Sequence, residues 1–157
     1  MNSCRIWLLV LSLGLAPIAS EAEQAIPVQL TVTQIGEQAR LKVSVTNQSK
    51  NDLTLYKSEL PWGNRYSMIV VAVSLGGNNE VVSIVGLIDD PGPGTTVIHS
   101  GETISGEIDL ARRFPQQWPG VSDKPLLVFW SYQLATSDER KSLRLGGWLE
   151  LKVPKQK

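Results

Sequence analysis

Leu41-Lys-Val-Ser-Val-Thr-Asn47 runs into the polar stretch Gln48-Ser-Lys-Asn-Asp52, and a second apolar run opens at Leu53. Successive side chains of a strand point to opposite sides, so Leu41, Val43 and Val45 share one face while Lys42, Ser44 and Thr46 share the other. The pattern predicts two strands joined by a polar turn, in a sheet wet on one face. Arg40 and Lys42 read as solvated charges that protect a sheet edge.

The same rhythm extends in both directions. On the N-terminal side, residues 27–34 alternate Val28, Leu30 and Val32 with Gln29, Thr31 and Thr33, and Gly36 opens the turn into the next strand. On the C-terminal side, residues 53–56 continue the pattern until Pro61-Trp-Gly-Asn64 breaks it, because proline lacks the ladder donor and glycine admits positive φ. Residues 66–75 and 80–88 are rich in β-branched side chains and flank Gly76-Gly-Asn-Asn79, which predicts a hairpin. Ile69-Val-Val71 and Val81-Val82 are apolar on both faces, so these strands are expected to lie centrally or beneath a loop.

Asp89-Asp-Pro-Gly-Pro-Gly94 cannot sustain a ladder and reads as a loop. A short strand over 95–99 follows, then a strand over 103–110, a connection over 111–124 and a closing hairpin of 126–134 with 143–153 across the charged turn 137–141. No helical periodicity of useful length occurs. About seven or more short strands at this spacing define an all-β fold, an antiparallel β-sandwich of the immunoglobulin-like kind, with no disulfide. Trp130, on a strand expected to be central, is a candidate to fill core volume.

Ahead of this pattern, Arg5 precedes an apolar run from Ile6 to Leu15, and Ser20-Glu-Ala22 offers small residues at cleavage spacing. Gly14 and Pro17 interrupt the run before it reaches the roughly 20 residues a spanning helix needs. Residues 1–22 are therefore expected to be a signal peptide and 23–157 the sandwich, released to the periplasm or the extracellular space without a transmembrane segment. Cys4 is the chain's single cysteine and would leave with the leader. A core must then supply the stability that disulfides give many exported domains. Roughly 135 residues would remain, in the usual range for one domain. With 15 basic and 15 acidic residues the chain is neutral, which points away from nucleic acid and from an anionic membrane as partners.

The order Val43-Ser-Val-Thr-Asn-Gln-Ser49, Leu53-Thr-Leu-Tyr-Lys57, Glu59-Leu-Pro-Trp62, Val85-Gly-Leu87, Gly101-Glu-Thr-Ile-Ser105 and Ile108-Asp-Leu110 resembles the immunoglobulin-like domain that precedes the catalytic domain of deuterolysin-type metallopeptidases. Small secreted proteinase inhibitors of sandwich type share this rhythm. The resemblance covers most of residues 27–134 and implies the fold. The peptidases' zinc-binding His-Glu-x-x-His helix is missing, and the chain has one histidine, so the resemblance transfers no peptidase activity.

Local chemistry leads to the same expectation. His99 has no Gly-x-Ser-x-Gly elbow to serve and reads as the surface end of a short strand. Asp89 and Asp90 lack the spaced series of oxygens that holds calcium and read as the start of a solvated loop. The expectation is a protein without catalytic activity, cofactor or metal. Asn47-Gln-Ser49 matches a glycosylation acceptor but reads equally as a turn.

Aromatic and arginine side chains in the loops are the candidates for recognition: Trp62, Arg65 and Tyr66 in one segment, and Arg112, Arg113, Phe114 and Trp118 in another. Such residues give large contact area with a polar handle. The alternative is that the aromatics fold back to plug an open end of the sandwich. Loops of a rigid sandwich carry function, so the sequence predicts a binding module whose partner is another protein, such as a peptidase or an exported effector. Two further readings stand beside it. One is a proteinase inhibitor using the 89–94 loop or the Trp118 segment, and the other is a chaperone or assembly factor that adds a strand to a sheet edge.

Overall fold

A computed structural model describes residues 25–75, 81–82, 94–115 and 124–152. The strands in chain order are β1 (Val28–Gln34), β2 (Arg40–Asn47), β3 (Leu53–Tyr56), β4 (Met68–Ser74), β5 (Val81–Val82), β6 (Thr95–Ile98), β7 (Thr103–Asp109), β8 (Leu126–Tyr132) and β9 (Leu145–Leu151). A 3-10 turn over Lys57–Glu59 and one helical turn, α1 (Leu110–Arg113), complete the described elements. The protein is an all-β, antiparallel sandwich, as the alternation predicts. A chain with a single cysteine forms no internal disulfide.

The strands form sheets in the orders β1-β2-β7, β3-β6 and β5-β4-β8-β9. Val43 of β2 sits between Val32 and Gly106, and Leu41 faces Ile108. β2 is thus the central strand of its sheet, which corrects the expectation that Arg40 and Lys42 guard an edge. Arg40 instead reaches across to β7, 3.7 Å from both Glu107 and Asp109. In the four-stranded sheet β4 pairs with both β5 and β8, so the predicted hairpin partners are adjacent and β4 is interior. Its second face is nevertheless open, and Ile69 is 52% exposed. Residues 76–80, the predicted turn of that hairpin, lie outside the described residues.

One core joins the sheets. Leu41, Val43 and Val45 of β2 meet Met68, Val70 and Ala72 of β4 and Leu126 and Val128 of β8, with Leu53, Leu55 and Ile98 closing one side. Burial at every second residue is what the period of 2 requires. Trp130 is on a central strand, as expected, but is only half buried and packs on the core's margin. The reason is local. Trp130 lies over its cross-strand partner Gly147, where a β-carbon would come within 2.8 Å of the ring. The large ring that fills the interior is Tyr132, whose hydroxyl donates to the Glu59 carbonyl at 2.9 Å. Burial in that apolar setting pushes its phenol pKa far up.

Candidate functional site

Asn64 builds the first wall of the site. Its Oδ1 accepts from the backbone N–H groups of Tyr66 and Ser67 at 2.6 and 2.8 Å, and its Nδ2 donates to the Ser58 carbonyl at 2.8 Å. Side-chain amides closing on a nearby backbone make such turns rigid. The second wall comes from the end of β7 and from α1. Asp109 caps that turn by accepting from the Arg112 N–H at 3.2 Å, and Phe114 N–H closes it on the Leu110 carbonyl at 2.9 Å. The Asp109 cap was present in the sequence, although a strand followed by an irregular connection was expected there.

The two walls enclose a cleft of about 310 Å³ lined by Trp62, Arg65, Glu107, Asp109, Arg112 and Arg113 among others. Arg65 Nη2 lies 3.4 Å from the Arg112 carbonyl and links the walls directly. The lining holds the carboxylates of Glu107 and Asp109 and the guanidiniums of Arg65, Arg112 and Arg113, and Arg40 lies 3.7 Å from both carboxylates. The lining offers paired charges and donors for a polypeptide backbone and its side chains.

Of the seven aromatic and arginine candidates, Trp62, Arg65, Arg112 and Arg113 line this cleft, whereas Tyr66 and Phe114 adjoin lining residues in sequence without lining it themselves. Tyr66 and Arg112 are exposed, and Arg65 is half buried. Trp62 is half buried on the core-facing side of β7, packed against Gly106. Phe114 is 1% exposed and belongs to the core. Arg113 is 6% exposed, and its Nη2 donates to the carbonyls of Arg65 and Met68. The expectation that Phe114 offers contact surface is therefore corrected, since the turn directs it into the core, and Arg113, although it lines the cleft, is nearly covered and held by the Arg65 and Met68 carbonyls. Trp118 lies outside the described residues, as do Asp89 and Asp90.

Sequence reasoning missed Asn64, Glu107 and Asp109. A signal for Asn64 existed in its position within Pro-Trp-Gly-Asn, a turn composition. Glu107 and Asp109 read only as outward residues of a strand.

His99 ends β6 on the surface, as expected, with its Nδ1 2.8 Å from Asp52. The hydrogen bond to Asp52 raises the imidazole pKa and lowers that of the carboxyl. Asn47 is fully buried. Its Nδ2 donates to the carbonyls of Asn51 and Ile98 and its Oδ1 accepts from Ser49, so the amide of the acceptor-like triplet is spent on the fold. Among the described residues no three His, Cys, Asp or Glu side chains gather to hold a metal, and no helix is long and apolar enough to cross a membrane.

No family model matches this chain, and no curated protein matches it. Among solved structures, the X-ray structure of Northeast Structural Genomics Consortium target SoR45 is similar over 83% of this chain and 88% of its own, at 11% identity and a TM-score of 0.38.

Proposed function

We propose that this is an exported, non-catalytic protein-binding module that holds a segment of another protein at the cleft between residues 61–66 and 107–113. The observation that supports it is convergence. Two segments far apart in sequence, each singled out by its aromatic and arginine content, meet at one opening lined by Trp62, Arg65 and the exposed Arg112, with the exposed Tyr66 next to Arg65 in the chain. Arginine and tyrosine are the residues that anchor recognition surfaces, and the sandwich beneath them supplies a preorganised frame. Export rests on the apolar run and small-residue site of residues 1–22, and mass spectrometry of the exported protein is expected to find Glu23 at the N-terminus. The proteinase-inhibitor reading depends on the 89–94 loop and the Trp118 segment, of which residues 89–93 and 116–119 lie outside the described residues.

Tyr66→Ala combined with Arg112→Glu tests the cleft. The double variant is expected to melt with the wild type, because both side chains are exposed, and to lose the partner that wild-type protein retains from the same exported fraction. Undiminished capture by the folded variant refutes the reading.

A further inference from the structure

The two outer faces of the sandwich differ in chemistry. On the β1-β2-β7 sheet the outward residues of β2 and β7 form a hydroxyl ladder, with Ser44 Oγ 2.8 Å from Ser105 Oγ and Thr46 Oγ1 2.8 Å from Thr103 Oγ1. That is the usual finish of a wet sheet. On the β5-β4-β8-β9 sheet the corresponding face is apolar. Register places Val71, Phe129 and Trp148 in one row across three strands, and Ile69, Ser131 and Gly146 in the adjacent row. Ile69 is 52% exposed, Phe129 43% and Trp148 67%. A contiguous patch of this kind marks an interaction surface, whereas scattered apolar residues do not.

We propose that this face is covered by the same face of a second copy of the chain, in a two-fold symmetric, sheet-on-sheet dimer. The rows themselves specify the occupant. In an isologous contact residue i meets residue j and j meets i. A two-fold axis lying in the interface, across the strands and midway between the rows, sets each row against the other row of the second copy. Trp148 then faces a glycine, Gly146, and Phe129 faces the small Ser131, while Ile69 and Val71 face each other. Large side chains over small ones is the complementarity two packed sheets need, at the roughly 10 Å spacing and small angle usual for aligned sheets.

The charges obey the same axis. Along β9 the outward positions continue to Arg144 just before the strand and Glu150 near its end, equally far in sequence from the centre at Gly147. An axis that sets Trp148 on Gly146 sets Arg144 on Glu150 twice. Among the described residues Arg144 makes only long contacts of 3.4 Å, to Ser131 Oγ and Gln133 Oε1, which a carboxylate replaces readily. With no net charge on the chain, no overall repulsion opposes association of two copies. The surface is separate from the 61–66 and 107–113 cleft, so the dimer stands whether or not that cleft binds a partner.

Sedimentation equilibrium on the protein as its producing cell yields it, from about 1 µM to 1 mM, is expected to show a monomer–dimer equilibrium. Trp148→Ser is expected to weaken it at least about tenfold, as is Arg144→Glu, while Arg144→Glu with Glu150→Arg restores it. All three positions are on the surface, so melting of dilute protein should be unchanged in each variant. A monomer at every concentration overturns the proposal, as does a dimer indifferent to Trp148→Ser or a charge swap that fails to restore association. A monomer that partitions through Trp148 onto neutral phosphatidylcholine vesicles assigns the face to lipid and overturns it as well.

Discussion

The indole of Trp62 occupies the space that a side chain at residue 106 would fill: a β-carbon built on Gly106 would stand 2.2 Å from the ring's Cδ2. Val43 is the cross-strand partner of Gly106, and Ile104 and Ile108 flank it on the same face of β7. The loop residue and the bare strand position therefore make one packing unit, which seats the first wall of the cleft on the sheet. Gly106→Ala is expected to displace the indole, at a cost of about 1–3 kcal/mol, and to open the cleft. Urea unfolding read beside Trp62 emission, with Trp62→Phe as the reference, checks both effects. Unchanged stability would mean that the ring does not rest on residue 106.

Arg113 carries its charge into the protein and spends it on the carbonyls of Arg65 and Met68. Arg113→Met keeps much of the volume but leaves those carbonyls without this donor. A loss of about 2–4 kcal/mol is expected, since hydrogen bonds from a charged donor each contribute more than neutral ones. The exposed neighbour Arg112→Met should change stability by less than about 0.5 kcal/mol. Equal effects in chemical denaturation would contradict the inward placement.

Asn47 ties the turn after β2 to the end of β6 through bonds to Asn51, Ile98 and Ser49. Asn47→Ala should cost about 2–4 kcal/mol, because buried groups lose their partners. Asn47→Asp should do no better, since it turns an oxygen toward the two carbonyls that the amide served. A full denaturation curve for each variant measures this, and a neutral Asn47→Asp would show that the amide is not the anchor.

The His99 and Asp52 pair confers a pH dependence whose sign is set by its two shifts. His99 has a raised pKa in the folded protein, so its contribution is complete below the unfolded imidazole pKa and disappears as pH rises through the folded one. Asp52 has a lowered pKa, so its contribution is present above the unfolded carboxyl pKa and disappears as pH falls through the folded one. Both groups are exposed, so the effect is small. Melting followed between about pH 5 and 8 should decline slightly at the alkaline end in wild type, and His99→Gln should remove that decline. NMR titration of His99 should shift downward in Asp52→Asn.

Tyr132 and Trp130 should respond in opposite order to the sizes of their rings. Tyr132→Phe removes a buried hydroxyl bond and should cost about 1–2 kcal/mol, whereas Tyr132→Ala should cost about 3–5 kcal/mol through the cavity it leaves. Trp130→Ala, at the margin, should cost less than Tyr132→Ala. Because burial raises the phenol pKa, the folded state favours neutral tyrosine. Stability should therefore be lost as pH rises above the unfolded phenol value of about 10. Ultraviolet titration of tyrosinate reads this directly, and ionisation of Tyr132 before unfolding would disprove its burial.

What the sequence by itself determined is the set of strands and the inward face of each. Val28 to Val32, Leu41 to Val45 and Leu53 to Leu55 alternate with polar residues, and a period of 2 has only one way to bury such a set. Boundaries at Pro61 and after residue 110 were legible for the same local reason, as proline acts on its own backbone. Tertiary structure decided which strands are neighbours, and hence that Arg40 serves Glu107 and Asp109 on a central strand and no edge. It also decided which loop aromatics are displayed. Tyr66 is exposed while Phe114 and Trp62 turn inward, because α1 aims one at the core and Gly106 leaves room for the other. Alternation reports the direction of a side chain relative to its own strand. Burial of a loop residue depends on what a distant strand leaves empty, and no local pattern encodes that vacancy.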